Sequence, residues 1–549
     1  MISGSLQSAH INPRALLATA LAATLLGLAA CGGQGDRPPP GGGGNPGNGN
    51  GNGNGNGGST FTPGVFQPYA GFASQCAVPR TGMDPNTNPP EPFADIQGSV
   101  TSENNWLRSW TNDTYLWYSE VPDLNPASYA TAEYFDLLKT TATTASGAPK
   151  DQFHFSIPTA EWEDLSQSGV SAGYGAQWFL INSVPPRDIR VAYVEPGSPA
   201  AAAGVMRGDT VITVDGADAI NGNSQATVDA LNNGLFPANV NESHQLTLRS
   251  AAGVSRDVTL QSASITSDPV LNVATIPTNA GAVGYILFND HIATAESGLI
   301  DAINTLQTAG VTDLVLDIRY NGGGFLDIAS ELAFMIAGPT MTAGQTFERI
   351  SFNDKHTNTD PVTGQALTPV PFHTTTQDFS AGNGSPLPTL NLPRVFVLTG
   401  SGTCSASESI INGLRGVDVE VIQIGGTTCG KPYGFYPTPN CGTTYFSIQF
   451  QGVNARNFGG YSDGFVPQNT VATGGERIPG CSVQDDFTHA LGDVSESRLA
   501  AALAYRASPG TCPTAPAGTV AKPTTQFSKA PAEGFMHKSP WRENRILRR

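Results

Sequence analysis

Positive charge is scarce in this chain. Its 28 lysines and arginines face 45 aspartates and glutamates, a formal net charge of −17, and no basic stripe interrupts the pattern before the extreme C-terminus. A nucleic-acid partner is excluded, because nothing would neutralise phosphates. Cys-x-x-Cys pairs and histidine-rich clusters are missing as well, so no metal site is read and no motif asks for a cofactor. The apolar run from Ala15 to Ala30 is too short for a comfortable membrane span.

What is present begins with a targeting pattern. Arg14 precedes that apolar run, which gives residues 1–30 the form of a signal peptide. Leu28-Ala-Ala-Cys31 resembles a bacterial lipobox. The resemblance implies cleavage before Cys31, lipid on its sulfur, and a place in the bacterial cell envelope. Gly32 is not an inner-membrane retention residue, so the outer membrane, facing periplasm or surface, is expected. The alternative is an ordinary secretory signal with an incidental cysteine. Residues 31–63, rich in Gly, Pro and Asn, cannot bury a core and read as a tether. Six further cysteines, Cys76, Cys404, Cys429, Cys441, Cys481 and Cys512, suggest disulfides in an exported chain. The short-loop pairs are Cys429 with Cys441 and Cys481 with Cys512. Cys404 reads as a disulfide or core residue rather than a nucleophile.

The chain is long enough for several domains. Residues 64–168 read as a helical region, with Trp106, Leu107, Trp110, Trp117, Tyr134, Phe135, Leu137 and Leu138 supplying an apolar face. Residues 169–265 carry Gly173-Tyr-Gly-Ala-Gln-Trp-Phe-Leu180, then Glu195-Pro-Gly-Ser-Pro-Ala-Ala-Ala-Ala-Gly204-Val, then the strand Thr210–Val214. That segment resembles a PDZ domain, β-rich, which adds a peptide as an extra strand and holds its terminal carboxylate on backbone amides. By that resemblance Tyr174, Gly175 and Ala176 form the peptide cradle. A small β-rich packing domain is the alternative. From 266 to 512 strands alternate with helices, as in a parallel sheet with helical crossovers. The loop from His356 to Asn391 is a lid or an insertion. The tail 513–549 reads as flexible and ends basic.

Chemistry concentrates in Ser401-Gly-Thr-Cys-Ser405-Ala-Ser-Glu408. It lies between the strand Arg394–Leu398 and a helix opening at Ala406, where backbone N–H groups lack intrahelical partners. A second strand, Val419–Ile424, leads to Gly425-Gly-Thr-Thr-Cys-Gly-Lys431, and 431 − 405 gives a separation of 26. If the two strands are parallel neighbours, both loops leave one sheet edge and Ser405 can meet Lys431. A serine needs a base, and a lysine made neutral by burial is one.

These motifs, with Asp317-Ile-Arg-Tyr-Asn-Gly-Gly-Gly324 upstream, resemble the carboxyl-terminal-processing (tail-specific) serine protease family. The resemblance implies a multidomain α+β protein whose α/β core is crotonase- or Clp-protease-like with parallel strands. It implies peptide hydrolysis by Ser405 with Lys431 as general base, and an oxyanion hole from the Gly323 and Ala406 amides. Polypeptides are then the substrates, and the PDZ-like unit recognises their chain ends. Glu408 either orients Lys431 or caps the helix. Many members carry a glutamine four residues after the lysine; here that position is Phe435, which leaves the lysine's partner open. His291 is the candidate for a histidine-assisted alternative. Competing readings are a non-catalytic peptide-binding lipoprotein and a Ser–Lys esterase or amidase.

Overall fold

The structure, a computed structural model, describes residues 61–85, 87, 89–471 and 474–515, and the backbone of 545–546. The signal peptide, Cys31, nearly all of the tether and most of the tail lie outside the described residues.

Helix α1 (Val100–Thr114) is capped by Ser99, whose side chain accepts the Ser102 N–H at 3.1 Å. It buries Trp106, Leu107 and Trp110, and α2 (Thr131–Leu137) buries Tyr134 and Phe135. Leu138 follows them into the core, whereas Leu137 is exposed. Trp117 falls beyond the end of α1 and packs edge-on against Tyr433, ring centroids 4.8 Å apart. The expected helical region is therefore short helices joined by turns. A strand, β1 (Phe155–Pro158), precedes α3 (Thr159–Ser168).

Next comes a β-rich unit. Strands β2 (Val170–Gly173), β3 (Ala176–Asn182), β4 (Asp188–Val194) and β5 (Thr210–Val214) are followed by helix α4 (Gln225–Leu235). Strands β6 (Ser243–Arg249), β7 (Ser255–Gln261) and β8 (Ala263–Thr266) complete it. The sheet runs β7-β6-β5-β4-β3, antiparallel throughout, while β8 pairs with β2. Trp178, Val191, Val211, Val214, Leu246 and Leu248 point inward and meet Leu231 and Leu235 of α4. Strand β3 sits at the end of the order.

The largest unit holds β9 (Val270–Ile276), β10 (Val283–Phe288), α5 (Ala295–Thr308), β11 (Asp313–Asp317), β12 (Gly324–Phe325) and α6 (Leu326–Ala337). It continues with β13 (Arg394–Thr399), α7 (Ala406–Gly416), β14 (Glu420–Gly425), β15 (Tyr433–Gly434), β16 (Gly480–Ser482) and α8 (Ser497–Ala507). A last strand, β17 (Arg545–Ile546), pairs with β12. The central sheet is ordered β9-β10-β11-β13-β14-β16, parallel except for β9. Its strands are apolar on both faces because both are covered. Ile286, Leu316 and Val397 meet α5, α6 and α7 on one side. Tyr285, Val315, Phe396 and Ile422 meet Leu499 and Ala502 of α8 on the other.

The long loop after α6 is fixed rather than loose. Glu296, in the first turn of α5, accepts the backbone N–H groups of Gln377, Phe379, Ser380 and Ala381 at 2.6–3.1 Å. Among the described residues there are three disulfides: Cys76–Cys441, Cys404–Cys429 and Cys481–Cys512. The last matches expectation. The expected Cys429–Cys441 bond does not form. Adjacent parallel strands bring Cys429 to Cys404, Cα atoms 5.1 Å apart, while Cys441, at a tight turn, reaches back to the N-terminal region. Short sequence separation was the wrong criterion, because sheet adjacency set the partner.

Candidate active site

Strands β13 and β14 are neighbours in parallel register, so the loops that follow them leave the same edge. Ser405 sits at the turn from β13 into α7 with φ 60° and ψ −113°, a conformation a non-glycine residue holds only when its surroundings impose it. The surroundings are specific. Glu408, fully buried one turn into α7, accepts the Ser405 N–H at 3.0 Å and the Lys431 N–H at 2.8 Å on the same oxygen, Oε2. Its other oxygen, Oε1, accepts from Gly430 N–H at 2.8 Å and from the Thr428 hydroxyl. Burial pushes the Glu408 carboxyl above its ordinary value, and these donors pull the other way, favouring the carboxylate. One residue before Ser405, the Cys404–Cys429 disulfide ties the same two loops covalently. Glu408 thus caps α7 and, at the same time, accepts from the backbone of the Lys431 loop.

Lys431 is completely buried. Its Nζ lies 4.3 Å from the ring centroid of Phe435 and 4.7 Å from that of Phe153. Phe435 therefore packs on the lysine head. Gly430, at φ +83°, passes so close to the Ser462 carbonyl that a Cβ there would sit 2.3 Å from it.

The glycine loop is stitched to this turn by Asn321. Its backbone carbonyl accepts the Cys404 N–H at 3.1 Å and the Ser407 hydroxyl at 3.0 Å, on either side of Ser405. Its side-chain oxygen accepts the Gly323 N–H and the His291 Nδ1–H, each at 2.9 Å. The Gly323 amide thus points at Asn321 in this state. Ala406 opens α7, where amides have no intrahelical acceptor. His291 is fully buried against this loop, its Nε2 without a hydrogen-bond partner among the described residues, and desolvation lowers its pKa to about 3. It supports the glycine turn as a neutral ring.

Behind the loop lies a buried ionic cluster. Arg319 forks onto both Asp317 and Glu496 at 2.8–2.9 Å and reaches Asp485 at 2.8 Å. Arg207, from the β-rich unit, donates to the Tyr320 hydroxyl and to Asp485, each at 2.7 Å. Desolvation raises the Asp485 carboxyl's pKa, but the surrounding arginines more than offset this and hold it far below its ordinary value.

Tyr174, Gly175 and Ala176 lie apart, along a groove of about 790 Å³ bordered by Trp178, Glu195 and Phe236. The Tyr174 ring is buried, its hydroxyl donating to the Gly234 carbonyl at 3.0 Å. The structure brings together Ser405, Ala406, Glu408, Lys431 and, through Asn321, Gly323. Sequence reasoning missed Asn321, Thr428 and Phe153. Asn321 stood inside the quoted Asp-Ile-Arg-Tyr-Asn motif; Phe153 carried no signal, since its role depends on the N-terminal region folding over the lysine.

Residues 282–438 match Peptidase family S41. The chain is 35% identical over 172 residues to a carboxyl-terminal-processing protease of Picosynechococcus sp., covering 31% of this chain and 39% of that protein. It is 32% identical over 161 residues to a chloroplastic C-terminal processing peptidase of Tetradesmus obliquus, covering 27% and 34%. The aligned region thus spans well under half the length of these relatives. Among solved structures, a putative S41 protease from Bacteroides fragilis superposes with a TM-score of 0.53 at 24% identity, over 76% of this chain and 98% of that one, and so shares its fold. The likeness to carboxyl-terminal-processing serine proteases, first read from short motifs, holds across this central region.

Proposed function

We propose that this chain is a serine endopeptidase of the carboxyl-terminal-processing type, working with a Ser405–Lys431 dyad. One observation carries the reading: the backbone nitrogens of Ser405 and Lys431, 26 positions apart, are both within 3.0 Å of a single Glu408 oxygen. In the proposed reaction Lys431, desolvated by its aromatic neighbours, takes the Ser405 proton as the oxygen attacks a peptide carbonyl. The leaving amine takes that proton, and a water activated by the same lysine hydrolyses the acyl-enzyme. The Ala406 and Gly323 amides receive the oxyanion; Gly323 must first turn away from Asn321. Each such donor is worth about 10²–10³ in rate.

The central sheet, helix-covered on both faces, supports a crotonase- or Clp-like core. The antiparallel β-rich unit, with its end strand β3 beside an elongated groove, supports PDZ-type docking of a substrate chain end along Tyr174–Ala176. Three disulfides support an oxidising compartment, consistent with a lipid-anchored envelope protein acylated at Cys31. The test is cleavage of casein by wild type, Ser405→Ala and Lys431→Ala. Each variant should lose at least about 10³-fold in rate while keeping its thermal midpoint. Undiminished cleavage by either variant refutes the dyad.

A further inference from the structure

The glycine loop offers a strand edge, and Arg545–Ile546 of the same chain lie on it. On one side of β12, the Gly323 carbonyl accepts the His291 N–H at 3.1 Å and the Phe325 N–H donates to the His291 carbonyl at 2.9 Å. Strand alternation therefore turns the Gly324 N–H and C=O to the opposite edge. There β17 runs parallel, Gly324 opposite Arg545 and Phe325 opposite Ile546. Gly324 takes φ +138°, and a Cβ on it would meet the His291 carbonyl oxygen at 2.4 Å, so only a bare backbone can present both edges here. Strand β17 also lies against β15, which begins two residues after Lys431. It thus occupies the slot between the glycine loop and the lysine loop. In the same state the neighbouring Gly323 amide is engaged by Asn321.

Resting on the peptidase reading above, we propose that this slot is the main-chain docking site for extended polypeptide and that the C-terminal segment around Arg545–Ile546 fills it in cis. The segment competes with substrate as a built-in strand. The covalent connection permits it: 29 residues separate Ala515 from Arg545 and can span roughly 100 Å when extended. A ligand carried on the same chain binds intramolecularly, so weaker strand pairing suffices than for a free peptide.

The test uses the full-length protein with Ile546→Pro, which removes a backbone donor and cannot join the ladder. If the segment fills the slot about nine-tenths of the time, freeing it lowers KM for a fluorogenic peptide about tenfold with kcat unchanged. Ile546→Val should behave as wild type. Identical KM values for wild type and the proline variant overturn the proposal. If neither protein cleaves anything, the peptidase reading fails, and docking is then decided by binding alone. A fluorescein-labelled peptide of residues 541–549 should bind the proline variant about tenfold more tightly than wild type. Equal binding, or none to either, overturns cis docking whatever the activity.

Discussion

Two of the disulfides close loops of nearly equal length, which allows positioning to be separated from stability. Cys404–Cys429 spans a separation of 25 and Cys481–Cys512 one of 31. In the chain-entropy treatment their removal costs about 3.5 and about 3.7 kcal/mol respectively, indistinguishable in practice. Their places differ. The first joins the residue before Ser405 to the loop carrying Lys431; the second joins β16 to the segment after α8, on the face of the sheet away from α7. Replacing each pair by alanine should therefore lower the denaturant midpoint by similar amounts. Peptide cleavage, measured well below both unfolding transitions, should fall at least about tenfold in kcat for the Cys404/Cys429 pair alone. The Cys481/Cys512 pair should keep near wild-type kcat. Equal kcat losses would show that the first disulfide is a general staple and that the convergence of the two loops does not depend on it. An unchanged kcat for the first pair would assign the positioning to Glu408 alone.

Other consequences follow from the buried groups. Glu408→Gln leaves at least one of the donors now aimed at the carboxylate without an acceptor, which costs about 1–3 kcal/mol in stability and should depress kcat more than it raises KM. Because the Glu408 carboxyl titrates above 4.5 when folded and its acceptor role needs the ionised form, wild-type activity should fall as pH drops through that raised value, and the glutamine variant should lose this limb. Glu331 is raised to about 9, first by desolvation and then by Glu296. The folded state holds its proton where the unfolded chain has released it, so this group erodes stability as pH climbs from 4.5 toward 9; Glu331→Gln should gain thermal midpoint on wild type across that range. His154, at about 4, and His291, at about 3, are both lowered mainly by desolvation, so the unfolded chain takes up protons first. Stability should decline as pH falls below 6.5, and no activity limb near 6.5 should vanish in His291→Asn.

How far the sequence could lead depended on whether a residue's role was local. The turn at Ser405 was legible because a strand, a small polar residue and a helix face stand in a row, and the helix at α7 begins at the residue expected. The strand read at Thr210–Val214 is observed at those bounds. The spacing to Lys431 was legible as a motif, and parallel neighbours made it a contact region. What was not legible lay across long separations. Phe153 stands 278 positions before Lys431, and nothing in its neighbourhood marks it. Cys441 finds Cys76 at a separation of 365. The misassigned disulfide and the helical reading of residues 64–168, where short helices alternate with turns and short strands, share this cause: local spacing was used where tertiary packing decided.

The lysine's surroundings sharpen what the proposed chemistry requires. A glutamine would fix the amine by a directional hydrogen bond; Phe435 and Phe153 fix it by shape and by the negative faces of their rings. Ring faces favour the cation, whereas complete burial favours the neutral amine. These two tendencies oppose each other at one atom. Phe435→Gln tests this balance. It replaces a ring face with a hydrogen-bonding partner for the amine and should move the acid-side apparent pKa of kcat/KM, the limb on which a base that must be unprotonated titrates, while leaving the thermal midpoint within a few degrees. Phe435→Leu keeps apolar burial and loses the ring face, and should shift the same pKa downward. If both variants keep the wild-type pH profile, the rings are packing alone and the lysine's protonation is governed from elsewhere in the site.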